Sequence, residues 1–334
     1  EDRMRKSIKT SLLALSVVAG AALASAPANA AYNLTLCGAS PGGLWSLLGA
    51  GVDNAVKAAF PGSTVTYQTS GGGFANVVQL DQKKCDIAII HDAEVKSALA
   101  GAEPFKAPVD SMRTLAVMYT WAPMQLLVNK DYATEHNINT MEDIATQKLP
   151  IQILLNRKGN VVSDIGATML TTVGASPENI ESWGGGVTYA ASKEQGELMR
   201  DRRADAILNS LFVGHGSIRE LASAIDLKLV PVQKETADAV AKEWNISEFV
   251  IKGGSYPWAP DDTLTVTVSA QLFVREDADP KLVEDLATAL ADHADQVSSV
   301  HKAMGSLDAK LMASGTAAPY HPAAAAVFKA KGLQ

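Results

Sequence analysis

The stretch Thr64-Val65-Thr66-Tyr67-Gln68-Thr69-Ser70-Gly71-Gly72-Gly73-Phe74-Ala75-Asn76 decides how this chain folds. Thr64 to Gln68 is β-branched and aromatic, a strand pattern. Beyond the glycines, Val77, Val78 and Leu80 restart at helical spacing and lead to Lys83-Lys84. A strand, three glycines and a helix start leave backbone N–H groups exposed at a positive helix end. Glycine admits a ligand oxygen where a Cβ would block it. Ser70 and Asn76 add a hydroxyl and an amide, so the stretch reads as a holder for a small polar anion. The same residues also make an ordinary strand-to-helix turn, and these residues alone do not separate the two readings.

On the N-terminal side, Asn33 to Cys37 reads as a strand, Gly38-Ala39-Ser40-Pro41-Gly42-Gly43 as a loop, and Leu44 to Phe60 as a helix stopped by Pro61-Gly62. On the C-terminal side, a helix over 74–84 precedes the strand Ile87-Ala88-Ile89-Ile90. Alternating strands and helices imply a mostly parallel sheet covered on both faces. The pattern restarts near residue 150. There Ile151 to Leu155 is a strand, Ser163 to Val173 a helix, Ser176-Pro177 a cap and first turn, and Ser192-x-x-Gln195 a capping box. Both rounds contain a basic helix end, a small residue, an aspartate and a buried strand: Lys83-Lys84-Cys85-Asp86-Ile87 and Arg202-Arg203-Ala204-Asp205-Ala206.

Two similar lobes follow from this repetition. Residues 114–128, around Trp121-Ala122-Pro123, and residues 263–274 read as the crossings between them. The expected division is 31–122 plus 267–334 for one lobe and 123–266 for the other, with helices from Pro280 onward. Ligands in open α/β sheets lie at the carboxyl ends of strands, and facing lobes on paired crossings close by hinge bending.

Arg3, Arg5, Lys6 and Lys9, the apolar run Ser11 to Leu23 and Ala28-Asn29-Ala30 form an export signal removed near Ala30, so the protein is expected in the periplasm. Residues 1–30 carry four positive and two negative charges, so the mature chain has a net charge of −9, against nucleic acid as a partner. Cys37 is placed at the end of one parallel strand and Cys85 at the start of its neighbour, at opposite sheet edges, so two buried thiols are expected. The six histidines lack H-x-x-x-H or H-E-x-x-H spacing, so no metal or cofactor is expected. His293 and His301 are placed on the surface of a terminal helix.

The loops at the strand ends are rich in Ser, Asn, Gly, Tyr and Trp, which suits reversible holding better than bond-breaking. His91 and Asp92 are adjacent on a strand, point to opposite sides and do not form a base–orienter pair.

With these loops in view, the chain resembles a solute-binding subunit of a tripartite ATP-independent periplasmic (TRAP) transporter of the TAXI type. Gly38-x-Ser40-Pro41-Gly42-Gly43-Leu44-Trp45 is similar to that family's first loop. Ser70 to Asn76 resembles its T-G-G-S-x-x-N element, and Asp86 to Asp92 its strand end. Tyr119 falls where it places a cleft tyrosine. Asp205-Ala206 with Phe212-Val213-Gly214-His215-Gly216 and Pro319-Tyr320-His321-Pro322-Ala323-Ala324 resemble two later signatures. The resemblance implies a type II two-lobed periplasmic binding protein with the ligand cleft between lobes. It would act as a monomer without chemistry of its own. It would capture a small organic anion (a dicarboxylate, a 2-oxo acid or an acidic amino acid) for an ion-gradient-driven permease.

Carried over residue by residue, the resemblance implies ligand contacts from Ser40, Trp45, Gly72, Asn76, His91 and Tyr119, and from Asn160, Ser163 and Asn209. The backbone reading adds Gly73. Gly73 stands where the family has serine, and Gly159-Asn160-Val161-Val162 where it has G-S-G-T, which implies a different acid or a less polar molecule. The alternatives are the binding subunit of an ATP-driven importer and an exported hydrolase or transferase on the same scaffold.

Overall fold

The computed structural model describes residues 31–41, 43–315 and 317–334. The export signal read in residues 1–30 lies outside the described residues, as does Gly42 of the first loop. The first round is β1 (Asn33–Cys37), α1 (Leu44–Ala59), β2 (Thr64–Gln68), α2 (Gly73–Asp81), β3 (Ile87–His91) and α3 (Asp92–Ala100). One long strand, β4 (Met112–Asn129), then leads through α4 (Lys130–Glu135) and α5 (Glu142–Thr146) into the second round. That round is β5 (Gln152–Leu155), α6 (Val161–Thr172), α7 (Pro177–Ser182), β6 (Gly186–Tyr189), α8 (Ser192–Arg200), β7 (Ala206–Ser210), α9 (Gly216–Ala224) and β8 (Leu227–Val230). The chain returns through α10 (Lys234–Trp244), β9 (Ser247–Ile251) and β10 (Thr263–Arg275). It finishes with α11 (Pro280–Asp292), α12 (Ala294–Ser298), a 3₁₀ turn, α13 (Ala309–Met312) and α14 (Pro322–Ala330).

The strand order is β2-β1-β3-β10-β4-β7-β5-β6, with β8 beside β4 and β9 beside β10. At one end β1 pairs in parallel with β2 and β3, and β10 runs antiparallel between β3 and β4. At the other, β5 pairs in parallel with β6 and β7, and the C-terminal half of β4 runs antiparallel between β7 and β8. The two ends therefore repeat one plan: three parallel strands, then a long antiparallel strand, then a fourth. This is a two-lobed α/β fold.

The repeated basic-aspartate detail has a physical basis. Lys83 (φ 59°) and Arg202 (φ 56°) both turn the chain in the left-handed region after a helix. Asp86 and Asp205 then each make the same pair of bonds to the neighbouring strand. Asp86 N–H donates to Thr35 O and its carboxylate accepts from Thr35 N–H at 2.8 Å; Asp205 does the same with Gln152, also at 2.8 Å. An aspartate here locks the register of the parallel pair before the ladder begins.

Periodicity explains the core. Leu44, Leu48, Val52, Ala55 and Val56 of α1 are buried, and so is every residue of β3. At about 1.5–3 kcal/mol per fully buried large apolar side chain, such positions dominate the driving force. The Ser176 cap with Pro177 in the first turn is present as read, its hydroxyl accepting from Asn179 N–H.

Four expectations are corrected. The segments flanking Trp121 form one continuous strand of 18 residues. Ser192 is no capping residue: α8 begins behind Ala191, and Gln195 donates to Ala190 O instead of closing a box. His301 is no surface residue of a long helix, since its ring packs near His215 and Phe212. Finally, Cys37 and Cys85 form a disulfide with Cα atoms 5.9 Å apart. Cys85 is not the first residue of β3 but lies in the irregular segment before it, and that segment's path brings it to the end of β1.

Candidate functional site

The glycine turn is not empty. Any Cβ at Gly73 would lie 1.5 Å from Glu94 Oε2, so the Glu94 carboxylate sits directly on this residue. Glu94 is wholly buried. Its Oε2 accepts from His91 N–H at 3.0 Å, and its Oε1 accepts from Val161 N–H, the first residue of α6, at 3.1 Å. One carboxylate of the chain thus joins the start of α3 to the start of α6 and covers the start of α2. Gly72, at φ 118°, lies against Asn160, where a Cβ would meet Asn160 at 3.1 Å. Its N–H donates to Ser70 Oγ at 2.9 Å.

Asn76 is also wholly buried and bonded within the chain. Its amide donates to Cys37 O, Gly38 O and Ile89 O and accepts from Ser70 Oγ, stitching the ends of β1 and β3 together. Tyr67 supports the first loop, its hydroxyl accepting from Ala39 N–H at 2.6 Å. Burial pushes that hydroxyl's pKa up to about 12.

The cleft beside this turn is a cavity of about 50 Å³. From the β2-β1-β3 side, Ser40, Gly43, Leu44, Trp45, His91 and Tyr119 line it. From the β7-β5-β6 side come Asn156, Asn160, Val162, Ser192, Ser210 and Leu211. On the first wall, Trp45 Nε1–H donates to Tyr119 Oη at 2.9 Å, which lies 3.4 Å from His91 Nε2. His91 Nδ1 lies 3.2 Å from Glu94 Oε2. A carboxylate only accepts, which places the proton on Nδ1 and leaves Nε2 to accept from Tyr119. The indole and imidazole rings lie 4.6 Å apart. Burial holds the Tyr119 hydroxyl far above its ordinary pKa, keeping it a neutral donor.

On the second wall, Asn209 stands behind the lining. Its amide donates to Ser192 Oγ at 3.1 Å and Gln195 Oε1 at 2.9 Å, and its carbonyl accepts from Asn156 Nδ2 at 3.1 Å. It orients two lining residues without reaching the cavity. Ser163, wholly buried, donates to Asn160 O at 2.7 Å inside the first turn of α6.

The structure therefore brings Ser40, Trp45, His91, Tyr119 and Asn160 to one cavity and keeps Gly72, Gly73, Asn76, Ser163 and Asn209 out of its lining. Sequence reasoning missed Glu94, Ser192 and Ser210. The Glu94 signal was legible as an acid three residues past the end of β3, the N3 position of a helix. Asp92 is the first residue of α3 and not, as expected, a strand residue beside His91; it accepts from Ser269 Oγ and Gln271 Nε2 and makes no pair with His91.

Among the described residues, no lysine or arginine lines the cavity. Helix ends are the groups at its edge that favour an anion. The α1 N-terminus, behind Gly43, and the α8 N-terminus, behind Ala191, carry no side-chain cap, and both open on the cavity. Each leaves first-turn N–H groups without an intrahelical acceptor at a positive helix end. The first turn of α6, by contrast, is capped by Asn160 and Glu94. Among the described residues there is no cluster of side chains fit to hold a metal, and no helix is long and apolar enough to cross a membrane.

Known structures share this architecture. MatC from Rhodopseudomonas palustris with bound malate aligns over 82% of this chain and 89% of its own at 13% identity and TM-score 0.55. The periplasmic binding protein BugD aligns over 91% and 98% at 12% identity and TM-score 0.57. PhnD1 from Prochlorococcus marinus in complex with methylphosphonate aligns over 80% and 89% at 10% identity and TM-score 0.54. At these identities the likeness is one of fold, that of periplasmic binding proteins. No curated protein matches the sequence. The model of the NMT1-like family matches residues 36–332, and the chain belongs to the NMT1-like family.

Proposed function

We propose that the protein is an exported receptor that closes on a small organic anion and releases it unchanged to a membrane permease. The observation that carries this reading is the pair of uncapped helix N-termini, α1 and α8, opening on one cavity that no cation among the described residues lines. Such ends bind anions through N–H groups and the helix dipole. Ser40, Asn156, Ser192 and Ser210 add neutral donors, and Trp45 and Tyr119 wall in the carbon skeleton. The small volume favours a compact acid such as a short dicarboxylate or 2-oxo acid. MatC with malate and PhnD1 with methylphosphonate, both anions on the same fold, agree with it. The motif resemblance to TAXI-type subunits supports a TRAP permease as the partner.

The test is a thermal-shift and calorimetric panel of small carboxylates, amino acids, phosphonates and sulfonates. A solute at about a hundred times its Kd stabilises the protein by roughly 2.7 kcal/mol, which is readily seen. Binding should weaken in Trp45→Ala and Ser192→Ala. A panel without any response, or preference for cations over anions, would refute the reading. Turnover of a bound ester or amide, abolished by His91→Ala, would favour the hydrolase instead.

A further inference from the structure

Beside the cleft lies a second and larger cavity of about 400 Å³, within the 300–1,000 Å³ range usual for small-molecule sites. It shares only Ser192 with the cleft, and its walls come from both ends of the sheet. Leu47 of α1 faces it from one side with Val300 and His301, and α8 and α9 face it from the other.

Its charge is opposite to that of the protein as a whole. Lys193, Arg200 and Arg219 line it with a single carboxylate, Glu220, which pairs with Arg200 at 2.9 Å. Lys193 and Arg219 make no ion pair among the described residues. Two unpaired cations gathered at one cavity in an acidic chain mark a place for an anion.

Two histidines, His215 and His301, complete the polar part of the wall. His215 caps α9, its Nδ1 accepting from Ser217 N–H, so the ring proton sits on Nε2. Although the residue is only 4% exposed and forms part of the cavity wall, that Nε2 has no partner among the described residues. That atom is closed off from the cavity space, so the ring lies in the wall as a neighbour of an occupant and not as its hydrogen-bond partner. His301 stacks on this ring at 5.8 Å. The remaining wall is apolar, from Leu47, Leu221 and Val300.

We propose that this cavity is a second binding site, for an organic acid with an aromatic or aliphatic body. Its carboxylate is held by Lys193 and Arg219, and its body lies on Leu47, Leu221 and Val300. Because the walls belong to both ends of the sheet, an occupant favours the closed arrangement. The site is distinct from the cleft, and because both occupants favour closure each strengthens the binding of the other.

Titrating the purified protein with 3-phenylpropionate and octanoate tests this, with 3-phenylpropanol and acetate as controls. The readouts are calorimetry and the imidazole C–H resonances of His215 and His301. The acids are expected to bind with sub-millimolar Kd and to shift both rings, whereas the alcohol and acetate bind at least tenfold more weakly. The double variant Lys193→Glu/Arg219→Glu, both positions exposed, should lose at least tenfold in affinity with an unchanged unfolding midpoint. Trp45→Ala should bind as the parent does. The proposal is overturned if the alcohol binds as tightly as the acid, or if the two imidazoles do not respond. It is also overturned if Trp45→Ala abolishes binding that the double variant keeps, which would put the acid in the cleft.

Discussion

Glu94 is a buried carboxylate without a lysine or arginine partner among the described residues, held by His91 N–H, Val161 N–H and the His91 ring. A carboxylate in this position is stable only while each oxygen keeps a donor. Replacing Glu94 with Gln turns an –NH₂ toward one of those donors and should cost about 1–3 kcal/mol, read as a lower urea midpoint. Gly73→Ala forces the same carboxylate out and should cost at least as much. His215 supplies the pH dependence. Burial first, then the nearby His301 and Arg219, hold its pKa down at about 4, against 6.5 in the unfolded chain. The unfolded state therefore binds the proton first, and stability falls as pH drops from about 6.5 towards 4. The loss is on the order of 2–3 kcal/mol. A series of melting temperatures across that window should show it, and His215→Asn, which retains a capping group, should flatten it.

At the scale of elements, the disulfide closes a loop that contains α1, β2 and α2. With a sequence separation of 48 between the cysteines, the chain-entropy model gives about 4 kcal/mol, towards the upper end of usual values. Urea unfolding with and without reductant should differ by about 2–4 kcal/mol, and thiol alkylation of the native protein should label neither cysteine. The same elements show what was legible. β1, α1, β2 and β3 fall where periodicity puts them, because apolar spacing and Pro61-Gly62 are local signals. The capping role read for Ser192 failed for a reason outside the local sequence. Asn209, seventeen residues on, holds that hydroxyl at the cavity. The cysteine pairing was missed because it depends on the path of a short irregular segment, which carries no period.

For the whole molecule, the long strands β4 and β10 run from one end of the sheet to the other, so bending between the lobes concentrates where they cross. Register shifts fall in β10 between Val268 and Gln271, and an unpaired residue there bends the strand. In solution, a cleft solute should lower the radius of gyration by X-ray scattering. It should also slow amide exchange in residues 119–123 and 267–271 more than elsewhere in these strands. Unchanged scattering and exchange at saturating solute would show that the lobes do not move.

The order of strands and helices, their duplication and the loops that could reach a ligand all follow from neighbours in sequence, because apolar period and turn chemistry act over a few residues. Who occupies the glycine turn was decided only in three dimensions. Gly73 was read as a seat for a ligand's oxygen, yet Glu94, twenty-one residues later, fills it from within the chain. The positive helix ends that open on the cleft are instead those behind Gly43 and Ala191. Whether an N–H at a helix end meets a side chain or a solvent-filled cavity depends on which distant segments the folded sheet brings against it.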